Sequence, residues 1–466
     1  MIDGLTPAVL ERGIGQGRLP ALAYLRERGV YRLATTTFPS VTPVCLTSLV
    51  TGAHPDVHDI PHIAWYHRGE RRIVEYGSSF PAMLAVGTKR CIQDTVFEMT
   101  RSHLAPGATT VFEALDDAGL VTAAINVTCY RGRTRHAIRL PGVAARNRWY
   151  EATYGPKRFF FYNVFESDPT GARLAVRSRP AGSCDAYAAA IGRWLVTRDG
   201  FDFLFFYLPD YDYASHAAGP GSAFEALVRA DGAIADLMRA AGGFEAFLER
   251  YAIVVCSDHG QTAVGRVTRL ADSLPGLRVF TGRRRQAVDR CDVAVAASNR
   301  AGMVYRLDRC RESARELAGR LAAEPAADVV LFRENGEAVA QRGGAELRIA
   351  RDRAGWRLDG DAGVLDPVRY PNGIARAWHA LACRNAGDVI ISAAEGYEFA
   401  DAGGSHHAGG GSHGSLLAGD SLVPVLAVGL GDDAVPRRPD LVDLAPLALS
   451  HFGVDAPEPG LERQVA

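Results

Sequence analysis

A chain of 466 residues, 47% hydrophobic and 23% charged, has the composition of a globular protein and is long enough for two or three ordinary domains or one large enzyme core with an insert. Its formal net charge of −1 gives no bulk field to recruit nucleic acid or an anionic membrane, and no nucleic-acid-binding motif stands out. No run approaches the ~18–20 apolar residues that span a bilayer.

Asp3 and Gly4 follow the initiator at once, so no signal peptide opens the sequence as written, and a cytoplasmic location is expected. Met1-Ile2-Asp3-Gly4-Leu5 nevertheless reads like the end of a buried strand. The start is therefore expected to be truncated, hiding a first strand and any export signal. Thr6-Pro7 can begin a helix as N-cap and N1, and Pro20 opens another through Gly29. Tyr31–Thr36, Val121–Val127, Phe203–Leu208 and Tyr251–Cys256 are strand candidates, most of them apolar, aromatic or β-branched runs suited to a buried sheet. Helical patterns lie between them at Val111–Ala118, Cys184–Thr197 and Ala223–Arg250. Strands alternating with helices predict an α/β fold, with a largely parallel central sheet flanked by helices.

The pattern changes after Asp292. Val293–Ala297, Met303–Leu307, Val329–Glu334 and Glu346–Trp356 read as strands, the last with a hairpin turn at Arg351–Gly355, and Glu312–Ala323 reads as a helix. We expect a catalytic core over 1–291, an inserted smaller α+β cap over 292–383, and the core resuming over 384–466. The resumed part holds a strand at Asp388–Ala393, a Gly-rich loop at Gly403–Gly414, a strand at Val423–Leu430 and a last helix at Leu441–Phe452.

Chemistry in such sheets gathers at the C-terminal ends of strands. Asp212 and His216 follow one strand, four positions apart, which brings both side chains to one face of a helical turn; Asp210 is an alternative ligand without that spacing. Asp258 and His259 follow another strand, and His413 lies in Gly410–Gly414, with His406 and His407 as competitors. Carboxylates mixed with imidazoles suit a borderline ion such as zinc, with manganese the alternative. Paired metals are the usual device for holding the attacking and leaving oxygens of a phosphate displacement. The eight cysteines form no Cys-x-x-Cys pair, so no thiolate zinc knuckle is present. With Lys89 and Lys157 the only lysines, there is no Gly-Lys-Ser/Thr and no P-loop. Gly-x-Ser-x-Gly at Gly410–Gly414 lacks the preceding strand of a nucleophile elbow.

The ordered set Asp3-Gly4, Thr42, Asp212-x-x-x-His216, Ser257-Asp258-His259-Gly260 and Ser412-His413-Gly414 resembles the alkaline phosphatase superfamily, in its type I phosphodiesterase/nucleotide pyrophosphatase branch. The resemblance runs from Asp3 to about Leu449. It implies two divalent metals, one held by Asp212, His216 and His413, the other by Asp3, Thr42, Asp258 and His259. It also implies that Thr42, nine residues before Thr51, is the nucleophile, with Thr35, Thr36, Thr37 and Thr47 as nearby competitors. An asparagine that holds phosphate in the family is replaced here by Ile63, while His62, Trp65, Tyr66, His67 and Arg68 could line the pocket. Arg131, Arg133 and His136 are further anion-binding candidates. The sulfatase signature is absent around Cys45. The expected activity is hydrolysis of a small-molecule phosphate ester, foremost a diester, through a phospho-threonine enzyme. The alternatives are a phosphomonoesterase, a carbon–phosphorus hydrolase on the same site, or a non-catalytic binding protein that keeps the fold; the oligomeric state has no signature in the sequence.

Overall fold

The structure, a computed structural model, describes residues 1–137, 152–161, 183–353, 355–431 and 433–457. The strands that position the site are β1 (Val30–Thr35), β2 (Thr122–Ile125), β3 (Arg158–Phe160), β4 (Phe203–Phe206), β5 (Ile253–Cys256) and β6 (Leu422–Val428). β3, β2 and β4 form a parallel set, and β6 pairs antiparallel with both β5 and β1.

The two sets are joined by Met1–Asp3. Leu208 N–H donates to Met1 O at 2.9 Å, Asp3 N–H to Leu208 O at 3.0 Å, and Ile2 N–H to Cys256 O at 2.9 Å. Ile2 bridges Leu208 in parallel sense. The expected mixture of strands and helices in a central sheet is therefore present, with β6 as its antiparallel member.

Helices cover both faces because successive strand side chains point to opposite sides. Ala123 and Ile125 pack with α1 (Pro7–Gly15), α4 (Cys184–Val196) and α6 (Phe224–Ala240), through Leu10, Ile191 and Leu227. Ala124 packs on the other face with α2 (Thr42–Thr51) and α3 (Val111–Asp117), through Leu46, Leu49 and Phe112. Local signals set the helix ends as expected: Thr6 caps α1 by accepting from Val9 N–H, and Pro7 sits at its first position. The single helix expected over Ala223–Arg250 is two, broken at Gly242 and Gly243, whose φ values of 106° and 120° no helix allows.

A second sheet has eight strands in the order Val279–Phe280, Val293–Ser298, Ala301–Arg306, Val389–Ala393, Ala327–Glu334, Glu337–Arg342, Ala345–Asp352 and Gly355–Gly360. Most of it comes from the segment expected as the cap. One assignment needs correction. The strand expected at Asp388–Ala393 in the resumed core lies in this second sheet, where Ile390 pairs with Met303 on one side and Leu331 on the other. An apolar β-branched run fits the middle of either sheet equally well, so composition alone could not allocate it. No helix among the described residues is long and apolar enough to cross a membrane.

Candidate active site

The chain delivers its acidic and imidazole groups to one end of the central sheet. Asp3 follows the Met1–Ile2 ladder, and Asp258 and His259 follow β5 directly. Asp212 and His216 ride on α5 (Asp210–Ala218), which begins four residues after β4. His413 follows Gly411–Ser412, a short strand paired with Thr262–Ala263. Asp3, Asp212, Asp258, His259 and His413 are all buried, and His216 nearly so.

Two groups of ligand atoms result, Asp3 with Asp258 and His259, and Asp212 with His259 and His413; the atoms of each lie within 4.8 Å of one another. His259 Nε2 is 3.4 Å from both Asp3 Oδ1 and Asp258 Oδ2. His216 Nε2 is 3.2 Å from Asp212 Oδ2, and His413 Nε2 is 3.8 Å from Asp212 Oδ1. His259 and His413 stack, with ring centroids 3.6 Å apart.

Each imidazole has one nitrogen engaged by a backbone carbonyl. Nδ1 of His216 meets Gly411 O at 2.9 Å, Nδ1 of His259 meets Gly260 O at 3.0 Å, and Nδ1 of His413 meets Ser40 O at 2.8 Å. A carbonyl only accepts, so Nδ1 carries a proton in all three rings, and each Nε2 is the nitrogen left to turn a lone pair to the cluster when its ring is neutral. This is the arrangement that orients a metal-ligating histidine.

The carboxylates fit the same purpose. Asp3 Oδ1 and Asp258 Oδ2 are buried without a hydrogen-bond partner among the described residues. Burial, and then the charges of Asp258 and Asp212, push the Asp3 carboxyl well above its ordinary range. Burial acts on Asp212 in the same direction but is outweighed by His216, His413 and His259, which hold it low. Buried like charges and converging nitrogens are relieved by a proton or by a cation, and a divalent ion suits this donor set of carboxylates and imidazoles.

Thr42 is the first residue of α2, and its Oγ1 is 3.1 Å from His259 Nε2. It is half-buried, flanked by buried Val41 and Pro43, and sits at the positive end of the helix dipole. The competing threonines turn elsewhere. Thr36 donates to Asp258 O, Thr37 lies 3.6 Å from Cys45 Sγ, and Thr47 donates back to Pro43 O at 2.6 Å. The other rivals separate as clearly. Asp210 accepts from Ser183 Oγ and from Cys184 N–H and so caps α4. His406 is exposed, while His407 pairs with Glu398 at 3.1 Å and stacks on His216. Ser412 is buried within a strand pair and has no elbow geometry.

The expected pocket residues do not join the cluster. His62 is buried with Nδ1 3.0 Å from Ala64 O, and burial lowers its pKa to about 4. Trp65 is fully buried in the core between its hairpin and the second sheet. His67 accepts from Glu70 N–H, and Arg68 donates to Ala386 O and pairs with Asp388. Arg131 is tied to Glu113 and to the Ala105 and Ala108 carbonyls, and Arg133 to Glu113 and Asp117. Their charges are spent on neighbouring acids, which sequence alone could not pair with them.

Several residues that sequence reading did not single out support the ligands. Tyr207 OH donates to Asp3 Oδ2, and Gln261 Nε2 donates to Asp212 Oδ1 while its Oε1 accepts from Ser215. Asn299 stands in the turn between two strands of the second sheet with φ 55°, and its Nδ2 lies 3.1 Å from His413 Nε2. The adjacent Arg300 forms a fully buried ion pair with Asp420 at 2.8 Å, and Asp420 also accepts from Ser415 N–H at 3.0 Å. Only Gln261, three residues beyond Asp258, gave a local signal.

Comparisons with known proteins agree with this geometry. Phosphonoacetate hydrolase from Sinorhizobium meliloti 1021, solved with phosphonoformate, superposes with a TM-score of 0.60 at 20% identity, covering 96% of this chain and 94% of that one. Murine ectonucleotide pyrophosphatase/phosphodiesterase 5, an inactive variant solved with AMP, gives 0.60 at 15% identity, covering 98% and 94%. The human form of the latter gives 0.55 at 15% identity, covering 94% and 90%. No curated protein matches by sequence. The family model for type I phosphodiesterase/nucleotide pyrophosphatase matches residues 1–416. That match, over most of the chain, shows that the chain belongs to the type I phosphodiesterase/nucleotide pyrophosphatase family of the alkaline phosphatase superfamily and is a hydrolase acting on phosphorus–oxygen bonds.

Proposed function

We propose that the cluster is a two-metal centre, occupied by zinc or alternatively manganese, in which Thr42 attacks a small-molecule phosphodiester. Asp212, His216 and His413 would hold one ion, and Asp3, Asp258, His259 and Thr42 the other, with His259 standing between the two groups. When bound, the ions supply Lewis acidity that favours the alkoxide and neutralises charge on the phosphate oxygens.

The protein's own part is positioning. α2 presents the Thr42 hydroxyl at its N-terminus, where the aligned backbone dipoles favour an anion. Oγ1 gives up its proton to solvent and forms a bond to phosphorus as the ester oxygen opposite leaves with the electron pair of the broken bond and takes up a proton from water, giving a phosphodiester-threonine enzyme. A water then cleaves that ester and restores the hydroxyl. Asn299, Tyr207 and Gln261 keep the ligand side chains in register. The second sheet serves as a cap, because its Asn299 turn reaches the site.

The observation that carries this reading is the convergence of three Nε2 lone pairs and two unpartnered carboxylate oxygens next to one half-buried threonine hydroxyl. Ile63, standing where the family has its phosphate-holding asparagine, favours a second reading in which a phosphomonoester or a phosphonate is turned over at the same site. Metal-loaded protein assayed with bis-p-nitrophenyl phosphate, p-nitrophenyl phosphate and phosphonoacetate tests both. Preference for the diester supports the first reading, preference for either other substrate the second. Turnover of none, with metal bound, supports a binding protein.

A further inference from the structure

The central sheet has a slot. On its β4 side, Phe203–Phe206 pairs with β2, and on its β5 side, Ile253–Cys256 pairs with β6. Their opposite edges face each other, and Met1–Asp3 fills only the end of the space nearest the active site. A cavity of about 440 Å³ occupies the remainder. It is walled by all four residues of β4, all four of β5, and Met1.

Burial marks the same place. β2, paired on both sides, is buried at every residue. β4 and β5 stand nearer the middle of the joined sheet, yet Phe203, Leu204, Phe206, Ile253 and Val254 are each partly exposed. Strands in the interior of a sheet covered by helices on both faces have no route to solvent except through a missing neighbour.

We propose that this slot takes an extended apolar β-strand, parallel to β4 and continuous with Met1, supplied by residues preceding Met1 in a longer form of the chain. The direction follows from the parallel bridge between Ile2 and Leu208. The length follows from β4 and β5, each four residues long, which a strand of about four to six residues matches at ~3.3 Å per residue. Its side chains are apolar on both faces, since Ile234 and Phe247 line one side of the cavity and Leu49 and Leu444 the other. A hydrocarbon ligand could fill the volume but would leave the facing N–H and C=O groups unpaired, and buried backbone groups are almost always paired. A peptide strand meets both demands. Met1 is itself 9% exposed, so the path toward its nitrogen runs through the slot and not through solvent. This inference does not depend on the phosphoryl-transfer reading.

The test fuses a hexapeptide, Val-Ile-Leu-Val-Val-Leu, directly before Met1 of the full chain. A control of equal length carries proline at its second and fourth positions, which removes ladder donors. The strand extension should raise the thermal midpoint by about 5 °C or more and slow amide exchange of residues 203–206 and 253–256 at least tenfold, and the proline control should do neither. If the fusion aggregates, the hexapeptide added in trans to the unextended chain should raise the midpoint in a concentration-dependent way. Unchanged midpoint and exchange, equal effects of both extensions, or native mass spectra showing a hydrocarbon ligand retained in the extended protein would overturn the proposal.

Discussion

Nε2 of His413 and Nε2 of His216 face each other at 3.3 Å, while Nδ1 of each ring meets a backbone carbonyl. Two ring nitrogens turned on each other at that distance need a proton or a metal ion to share, and a metal ion also serves the carboxylates around them. The site should therefore bind divalent metal tightly and lose stability without it. At a free-ion concentration about 1,000-fold above Kd, metal contributes ~4 kcal/mol to the folded state. Elemental analysis should find two ions per chain, and chelation should lower the thermal midpoint and abolish turnover, both restored by zinc. Metal-free protein that is as stable and as active as loaded protein would refute this.

Thr42→Ala should lower kcat/KM by about 10³-fold or more, in the range seen when a nucleophile is removed, while metal content and thermal midpoint stay near wild type. Thr42 is half-buried, and its hydroxyl lies 3.1 Å from His259 Nε2. Retained activity would transfer the role to another group.

Arg300 and Asp420 form a buried ion pair, 1% and 0% exposed, that locks the loop following His413. Arg300→Met should destabilise the protein by about 3–5 kcal/mol, because Asp420 is left charged and unpaired. Chemical denaturation measures this. The double variant Arg300→Met, Asp420→Leu should recover part of the loss.

Glu75 lies outside the ligand cluster, and burial pushes its carboxyl up to about 7, against the hydrogen bonds from Ser78 and Gly77. Folded Glu75 therefore keeps its proton where the unfolded chain, near its ordinary 4.5, has lost it. Its contribution is fully favourable below pH 4.5 and is lost as pH rises through about 7. Glu75→Gln should thus gain stability relative to wild type between these values and hold the gain above them. Parallel pH–denaturation curves for the two proteins would show otherwise.

The clustering of these residues was legible because they are announced locally: Asp212 and His216 by helical spacing, Asp258 and His259 by the strand that precedes them. Thr42 was legible only through family spacing. Its competitors were separated by where their hydroxyls point, which no spacing records. Asn299 and Arg300 reach His413 and Asp420 across more than a hundred residues, and such pairings depend on how the second sheet docks. The pairing of Arg131 and Arg133 with Glu113 was hidden for the same reason, since that partner on α3 is brought near only by folding. The strand at Val389–Ala393 was recognised as a strand and given to the wrong sheet, because apolar runs specify burial and not neighbours.

The pairing of β1 with β6, in which Val30 lies opposite Ala427, has a consequence for synthesis. An emerging chain exposes the edge of β1 for the time needed to translate nearly four hundred further residues. At about 5–20 residues per second, that interval is tens of seconds. His413 leaves the ribosome shortly before β6 itself, so the cluster and the sheet that carries it are completed together. Until β6 arrives the edge of β1 is unpaired, and an edge open that long is a template for pairing with other chains.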